Sequence, residues 1–331
     1  MMKLINKLRA FAPLGKGLML IFLFSACEKE IEYTGDAVLP ILVLNADIKA
    51  GEEITCDLTR SVSIFESTQR DPDDGRYYYD TSLRDAQLEL YCDGELIGEP
   101  TWSGYNYRWG EVAQEGKEYT IKASHPTYEN ISASTKVLAQ PEITDVHVQA
   151  DYSRYETHFS ITLNDEPGKN YYRLNAFREM TYKYTDYGEE DGYSESVSTH
   201  NIEIYSNDAI LNYNKAVTTG DDLFADYPPN VFMIFDDALF EGKSQKVNFY
   251  YDYISKNDEW CTYVYIFEVQ QISKELYLYY KSIDHYDYYD ESPFSEPVMV
   301  YSNVEGGAGI LGSSSKAEVR VENPFSSSEG E

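Results

Sequence analysis

Cysteine and histidine are scarce in this sequence: the 331 residues hold four of the first and five of the second. No CxxC pair and no HExxH occur, so metal-ligand spacing is absent and a zincin is excluded. There is no GxSxG nucleophile elbow either. Basic residues are few, 27 against 57 acidic ones, for a formal net charge of -30. Phosphate binding needs clustered Lys and Arg, so this balance argues against nucleic acid or an anionic lipid face as partner. What the chain does have is a 42% apolar share, enough for real cores, and 32 tyrosines. Its length leaves room for roughly two domains.

Residues 1–26 carry Lys3, Lys7, Arg9 and Lys16 and no acid, followed by an apolar run from Leu18 to Phe24. That run is too short to span a bilayer, which takes about 20 apolar residues. Basic start, short apolar centre and small residues describe a signal peptide. Phe24-Ser25-Ala26-Cys27 resembles a lipobox, with Phe24 where the motif usually has Leu. The reading is a thioether-linked diacylglycerol on Cys27, cleavage before it, and an acylated amine. Each buried CH₂ contributes about 0.8 kcal/mol, so several chains hold a soluble body on a membrane. Cleavage removes four bases and moves the net charge from -30 to -34. Residues 27–37 then form an acidic tether, whose Glu28-Lys29-Glu30-Ile31-Glu32 resembles the export signal of surface lipoproteins of Bacteroidota.

The expected fold class is mainly β: two sandwich units of immunoglobulin or prealbumin kind, with one short helix near the C-terminus. The first unit covers 38–140, with strands at Val38–Asp47, Glu53–Val62, Ala86–Cys92, Glu95–Trp102, Lys117–Ser124 and Glu129–Val137. Asp93-Gly94 suits a type I′ hairpin turn. Pro141 after Ala139-Gln140 marks the boundary. The second unit, 141–331, has strands at Ile143–Ala150, His158–Asn164, Tyr171–Phe177, Asn201–Tyr205, Val231–Phe235, Val247–Tyr253 and Trp260–Val269. An acidic, Ser-rich solvated insertion is expected at about 185–198. A helix over 272–284 follows from Ile272, Leu276, Tyr280 and Ile283, with Ser273 as its cap.

With Cys27 lipidated, Cys56, Cys92 and Cys261 remain. Cys56 and Cys92 fall on the apolar faces of their strands; buried free thiols are the expectation, and export leaves a Cys56–Cys92 disulfide chemically open. No cofactor and no metal site is expected. The cluster Asp71-Pro72-Asp73-Asp74-Gly75 has calcium-like oxygens but fails the EF-hand spacing. Gly306-Gly307-Ala308-Gly309 reads as a tight structural turn and not a dinucleotide loop. Ser313-Ser314-Ser315-Lys316 matches SxxK by chance in a polar tail.

Aromatic residues supply the candidate ligand contacts. Tyr105, Tyr107 and Trp109 share a face if extended, with Trp102 just before them. Tyr77, Tyr78 and Tyr79 lie in a long loop, and Tyr184 and Tyr187 flank the acidic insertion. Tyr and Trp offer flat apolar faces with a polar tip, suited to sugar stacking or protein contact; core packing is the alternative for Trp102–Trp109.

Ser292-Pro293-Phe294-Ser295-Glu296-Pro297 running into Val300–Gly312 resembles the ending of domain-of-unknown-function family 4249. Leu39–Leu44 ahead of Ile54–Ser61, Ala86–Gly94, Asn170–Arg173 and Asp236–Gly242 agree with it. The resemblance spans nearly the whole mature chain, and the tail motif 292–312 is its most specific part. It implies a surface lipoprotein often encoded near TonB-dependent outer-membrane receptors, with no established activity. The expected function is therefore a non-catalytic accessory partner of such a receptor, lipid-anchored at the outer membrane, binding a glycan or peptide. A surface glycosidase or peptidase using a carboxylate pair is the first alternative, and an adhesin or structural surface protein the second.

Overall fold

The computed structural model describes residues 39–63, 66–70, 75–79, 81–185, 193–212, 230–289 and 299–326. Cys27 and the tether, residues 71–74 of the calcium-like cluster, Tyr187 and residues 292–298 of the tail motif lie outside the described residues.

The chain is mainly β. Its first part forms β1 (Leu42–Lys49), β2 (Glu53–Arg60), β3 (Gln69–Arg70), β4 (Tyr77–Tyr78), β5 (Gln87–Cys92), β6 (Glu95–Gly98), β7 (Thr101–Trp102), β8 (Tyr107–Val112), β9 (Glu118–His125) and β10 (Tyr128–Lys136). Next come β11 (Glu142–Asp151), β12 (Glu156–Asn164), β13 (Tyr171–Thr185) and β14 (Tyr193–Asn201). β15 (Ile234–Asp236), β16 (Ser244–Tyr251), β17 (Cys261–Ile272), the helix α1 (Lys274–Tyr289) and β18 (Ala308–Glu322) complete it.

Period-two alternation builds the first core. β1 turns Leu42, Leu44, Ala46 and Ile48 to one side, and β2 does the same with Ile54, Cys56 and Leu58. They pack with Leu88, Leu90, Tyr119, Ile121 and Ala133 of a four-stranded sheet ordered β10-β9-β5-β6. The β5–β6 turn has Asp93 at φ 49° and Gly94 at φ 84°, as a type I′ turn demands. The second core lies under the sheet β11-β12-β16. Phe159 of β12 is at its centre, its ring 5.4 Å from Phe249, 5.0 Å from Tyr265 and 4.9 Å from Phe267.

The two sandwiches share one sheet, ordered β14-β13-β17-β18-β1-β2-β8-β7, with β15 beside β13. β18 is the joint, parallel to β1 on one side and antiparallel to β17 on the other. Its 15 residues extend about 50 Å, long enough to serve both cores. Leu311 is buried in the first, Val321 packs on the second, and Ile310 from the opposite face lies beneath α1.

This strand corrects the reading of Ser313–Lys316 as a polar tail. Ser313, Ser314 and Ser315 are buried at mid-strand. Their hydroxyls donate to the Lys136 carbonyl (2.6 Å), to Asp47 Oδ2 (3.0 Å) and to Glu115 Oε1 (3.3 Å), respectively. The tight turn assigned to Gly306–Gly309 holds only for its start: Gly306 turns at φ 77°, and Gly309 is already in the strand. A Cβ on Gly309 would sit 2.0 Å from the Leu44 carbonyl oxygen, so only glycine lets these two backbones approach.

α1 starts two residues later than the 272–284 pattern and runs on to Tyr289. Ser273 caps it, its Oγ accepting the Leu276 N–H at 3.3 Å. The expected insertion at 185–198 is corrected over 193–198, which belongs to edge strand β14, paired to β13 from Tyr193 against Thr185 onward. The strand expected at Asn201–Tyr205 is instead irregular beyond Asn201, with one bridge from Tyr205 to Tyr250. No helix among the described residues is long and apolar enough to cross a membrane.

Candidate functional site

The outer face of β11-β12-β16 carries a broad groove. In β12 the odd positions Phe159, Ile161 and Leu163 are buried in the core, which sends His158, Ser160 and Thr162 to the opposite face, where His158 and Thr162 are half-buried and Ser160 is buried. Register then sets their neighbours: His147 pairs with Ser160 and Gln149 with His158 on one side, Asn248 with Ser160 and Tyr250 with His158 on the other. The groove has a volume of about 1000 Å³.

Asn207, Asp208 and Ala209 form part of its wall, and the segment 205–209 is held to β16 by hydrogen bonds. Ser206 Oγ donates to the Asn248 carbonyl at 2.6 Å, and Asp208 Oδ2 accepts the Asn248 backbone N–H (3.2 Å) and Nδ2 (3.1 Å). Tyr205 and Tyr250 exchange backbone hydrogen bonds of 2.8 and 2.7 Å. Three rings line up as a result: Tyr205 lies 5.7 Å from Tyr250, and His158 stacks on Tyr250 at 5.6 Å with 24° between planes. Flat rings beside amide, hydroxyl and imidazole groups suit a ligand with alternating apolar and polar patches.

At one end of this face, Asp151 and Glu156 are paired across the β11–β12 turn. Glu156 Oε2 lies 2.8 Å from His158 Nε2. Asp151 Oδ1 accepts the Ser153 N–H (2.9 Å) and Oγ–H (2.6 Å), and these bonds hold its carboxyl below the usual carboxylate range. Among the described residues, Asp151, Glu156 and His158 are the group whose donor atoms, within 4.8 Å of one another, could hold a metal ion.

The sequence profile described as Domain of unknown function (DUF4249) matches residues 28–320. The chain belongs to DUF4249. Among curated proteins, none matches it. The DUF4249 match starts one residue after Cys27 and takes in both cores, the groove and nearly all of β18.

Among the described residues, none of the aromatics singled out in the sequence lines the groove of this DUF4249 protein. Tyr107 is buried, its hydroxyl donating to the Leu83 carbonyl at 2.6 Å, with Trp102 edge-on at 5.0 Å. Trp109 packs against the first core and donates Nε1–H to the Gly98 carbonyl at 3.2 Å. Tyr105 lies in the β7–β8 turn, 91% exposed. A shared binding face for Tyr105, Tyr107 and Trp109 is thus corrected, because the turn separates Tyr105 while strand alternation sends the other two inward. Tyr77, Tyr78 and Tyr79 are exposed at the small β3–β4 pair, and Tyr184 is exposed near the end of β13. Cys56, Cys92 and Cys261 are free thiols in the structure, Cys56 and Cys261 buried and Cys92 half-buried. Burial pushes the Cys56 thiol far above its ordinary pKa, leaving it inert.

Sequence reasoning missed the groove and the Asp151–Glu156–His158 trio. Glu156-x-His158 is a legible same-face pair, but Asp151 joins it only through hairpin register.

Proposed function

We propose that this DUF4249 protein is a lipid-anchored protein of the outer-membrane surface that captures a polar ligand without catalysis, as the accessory partner of a TonB-dependent nutrient receptor. The observation that carries ligand capture is the row of rings His158, Tyr250 and Tyr205 beside Asn248, Gln149 and His147 on a face preformed by the Asp208–Asn248 bonds. A pyranose fits this chemistry: its C–H face covers a ring while its hydroxyls reach amides and imidazoles. The lipobox Phe24–Cys27 and the acidic run after it support anchoring and display. A family profile that begins at residue 28 agrees with a mature chain starting at Cys27. The receptor partnership is supported by the neighbourhood of such receptors that family resemblance implies.

The ligand reading is tested on a glycan array with the full-length protein in detergent and EDTA. Wild type is expected to retain a glycan that Tyr250→Ala binds at least about tenfold more weakly, a loss of about 1.4 kcal/mol. A protein that binds no glycan, or a Tyr250→Ala variant that binds equally well, refutes carbohydrate capture at this groove.

A further inference from the structure

We propose that Asp151, Glu156 and His158 bind one divalent transition-metal ion of the zinc class at the edge of the groove. The three side chains present two carboxylates and one imidazole, with one donor atom from each within 4.8 Å of the others. Donors held about 2.0–2.2 Å from a zinc ion stand roughly 3–4 Å apart. Glu156 and His158 are already closer than that, at 2.8 Å, so a small rotation that admits the ion between them completes the set.

A second feature points to the same place. Asp151 and His158 line a separate recess of about 340 Å³, room for an ion with the water or ligand oxygen that fills its remaining positions. Asp151 is ready for it: Oδ1 is taken up by Ser153, while Oδ2 stands 4.0 Å from Arg154 Nε. The donor set selects the ion. Imidazole suits zinc, nickel and copper, whereas calcium and magnesium take shells of oxygen.

His158 belongs to both features, stacking on Tyr250 and facing the recess. A bound ion fixes the ring that begins the aromatic row. The metal site stands without the carbohydrate reading, since glycan binding is measured in EDTA and metal binding without glycan.

The experiment is a calorimetric titration of the full-length protein in detergent with zinc chloride, and with calcium chloride as the hard-cation control. One zinc ion per chain is expected, with calcium giving no heat. His158→Ala and Glu156→Gln are each expected to weaken zinc at least about tenfold. His147→Ala, on the same face but outside the trio, stays within about twofold. Glu156→Gln preserves side-chain size, and zinc is expected to raise Tm for wild type but not for this variant, which separates lost ligation from lost fold. No heat with zinc, or full affinity in His158→Ala, overturns the proposal. Loss in His147→Ala with retention in His158→Ala overturns it as well.

Discussion

Ser273 and Ser313 hold each other through two hydrogen bonds, the Ser273 N–H to the Ser313 carbonyl at 2.9 Å and the Ser313 N–H to Ser273 Oγ at 3.2 Å. That same Oγ accepts the N–H of Leu276, so one hydroxyl starts α1 and fixes it to the strand that joins both sandwiches. Ser273 is buried, so water cannot replace what its hydroxyl supplies.

Ser273→Ala is therefore expected to destabilise the protein by about 1–2 kcal/mol, the range for a lost helix cap. Urea unfolding followed by circular dichroism checks it. A midpoint unchanged from wild type contradicts this role.

Gly312 lies where α1 rests on β18. A Cβ there would be 2.7 Å from Leu276 Cβ, a clash with packed side-chain atoms. Gly312→Ala is expected to cost about 1–3 kcal/mol, as overpacking does; Leu276→Ala removes Cγ and Cδ1, which would lie 3.2 and 3.1 Å from the new methyl, but keeps Cβ, so in the same chain it is expected to recover only the smaller part of that cost relative to the sum of the single losses. A double-mutant cycle of thermal unfolding measures the coupling.

Asp47 gives a pH signature. Burial raises its carboxyl pKa above the ordinary value, against the lowering effect of the Ser314 hydrogen bond, Lys49 and Arg173, and Oδ1 is buried with no hydrogen-bond partner among the described residues. The folded state thus holds this proton more tightly than the unfolded state. Its contribution is present below the unfolded pKa, is lost as pH rises through the folded one, and stays lost at neutrality. Asp47→Asn is expected to gain stability over wild type at pH 7 and to lose that advantage near pH 4. Paired denaturation curves at the two pH values check it; an advantage that grows on acidification contradicts the sign.

Cys27→Ser is expected to leave the protein out of the membrane fraction, because a hydroxyl cannot take the thioether-linked lipid. Fractionation with mass spectrometry of the N-terminal peptide reads this out: wild type carries acyl mass on Cys27 and the variant carries none. A bare Cys27 in membrane-bound wild type contradicts the anchor.

Much of the fold is legible in the chain because burial and alternation coincide. Leu42, Leu44, Ala46 and Ile48 announce β1, and Asp93-Gly94 announces the following hairpin turn, since both needs are local. β18 is not legible in that way. Its glycines and serines give no apolar period; their burial comes from Leu44, Leu276 and Thr135, which are distant in sequence. β14 escapes for the opposite reason, being an edge strand whose Ser194, Glu195, Ser196 and Ser198 meet solvent like a loop. The groove needs register as well as period. His147 and His158 look scattered until β11 pairs with β12, whereas Trp102 and Tyr107 look like a binding stripe until their inward faces are known.

The proposed receptor partnership is decided by affinity isolation of the full-length protein from detergent-solubilised outer membranes. A surface accessory of a nutrient receptor is expected to bring down a TonB-dependent receptor in near-stoichiometric amount. Recovery of the protein alone, with nutrient uptake unchanged in a strain lacking it, contradicts that partnership.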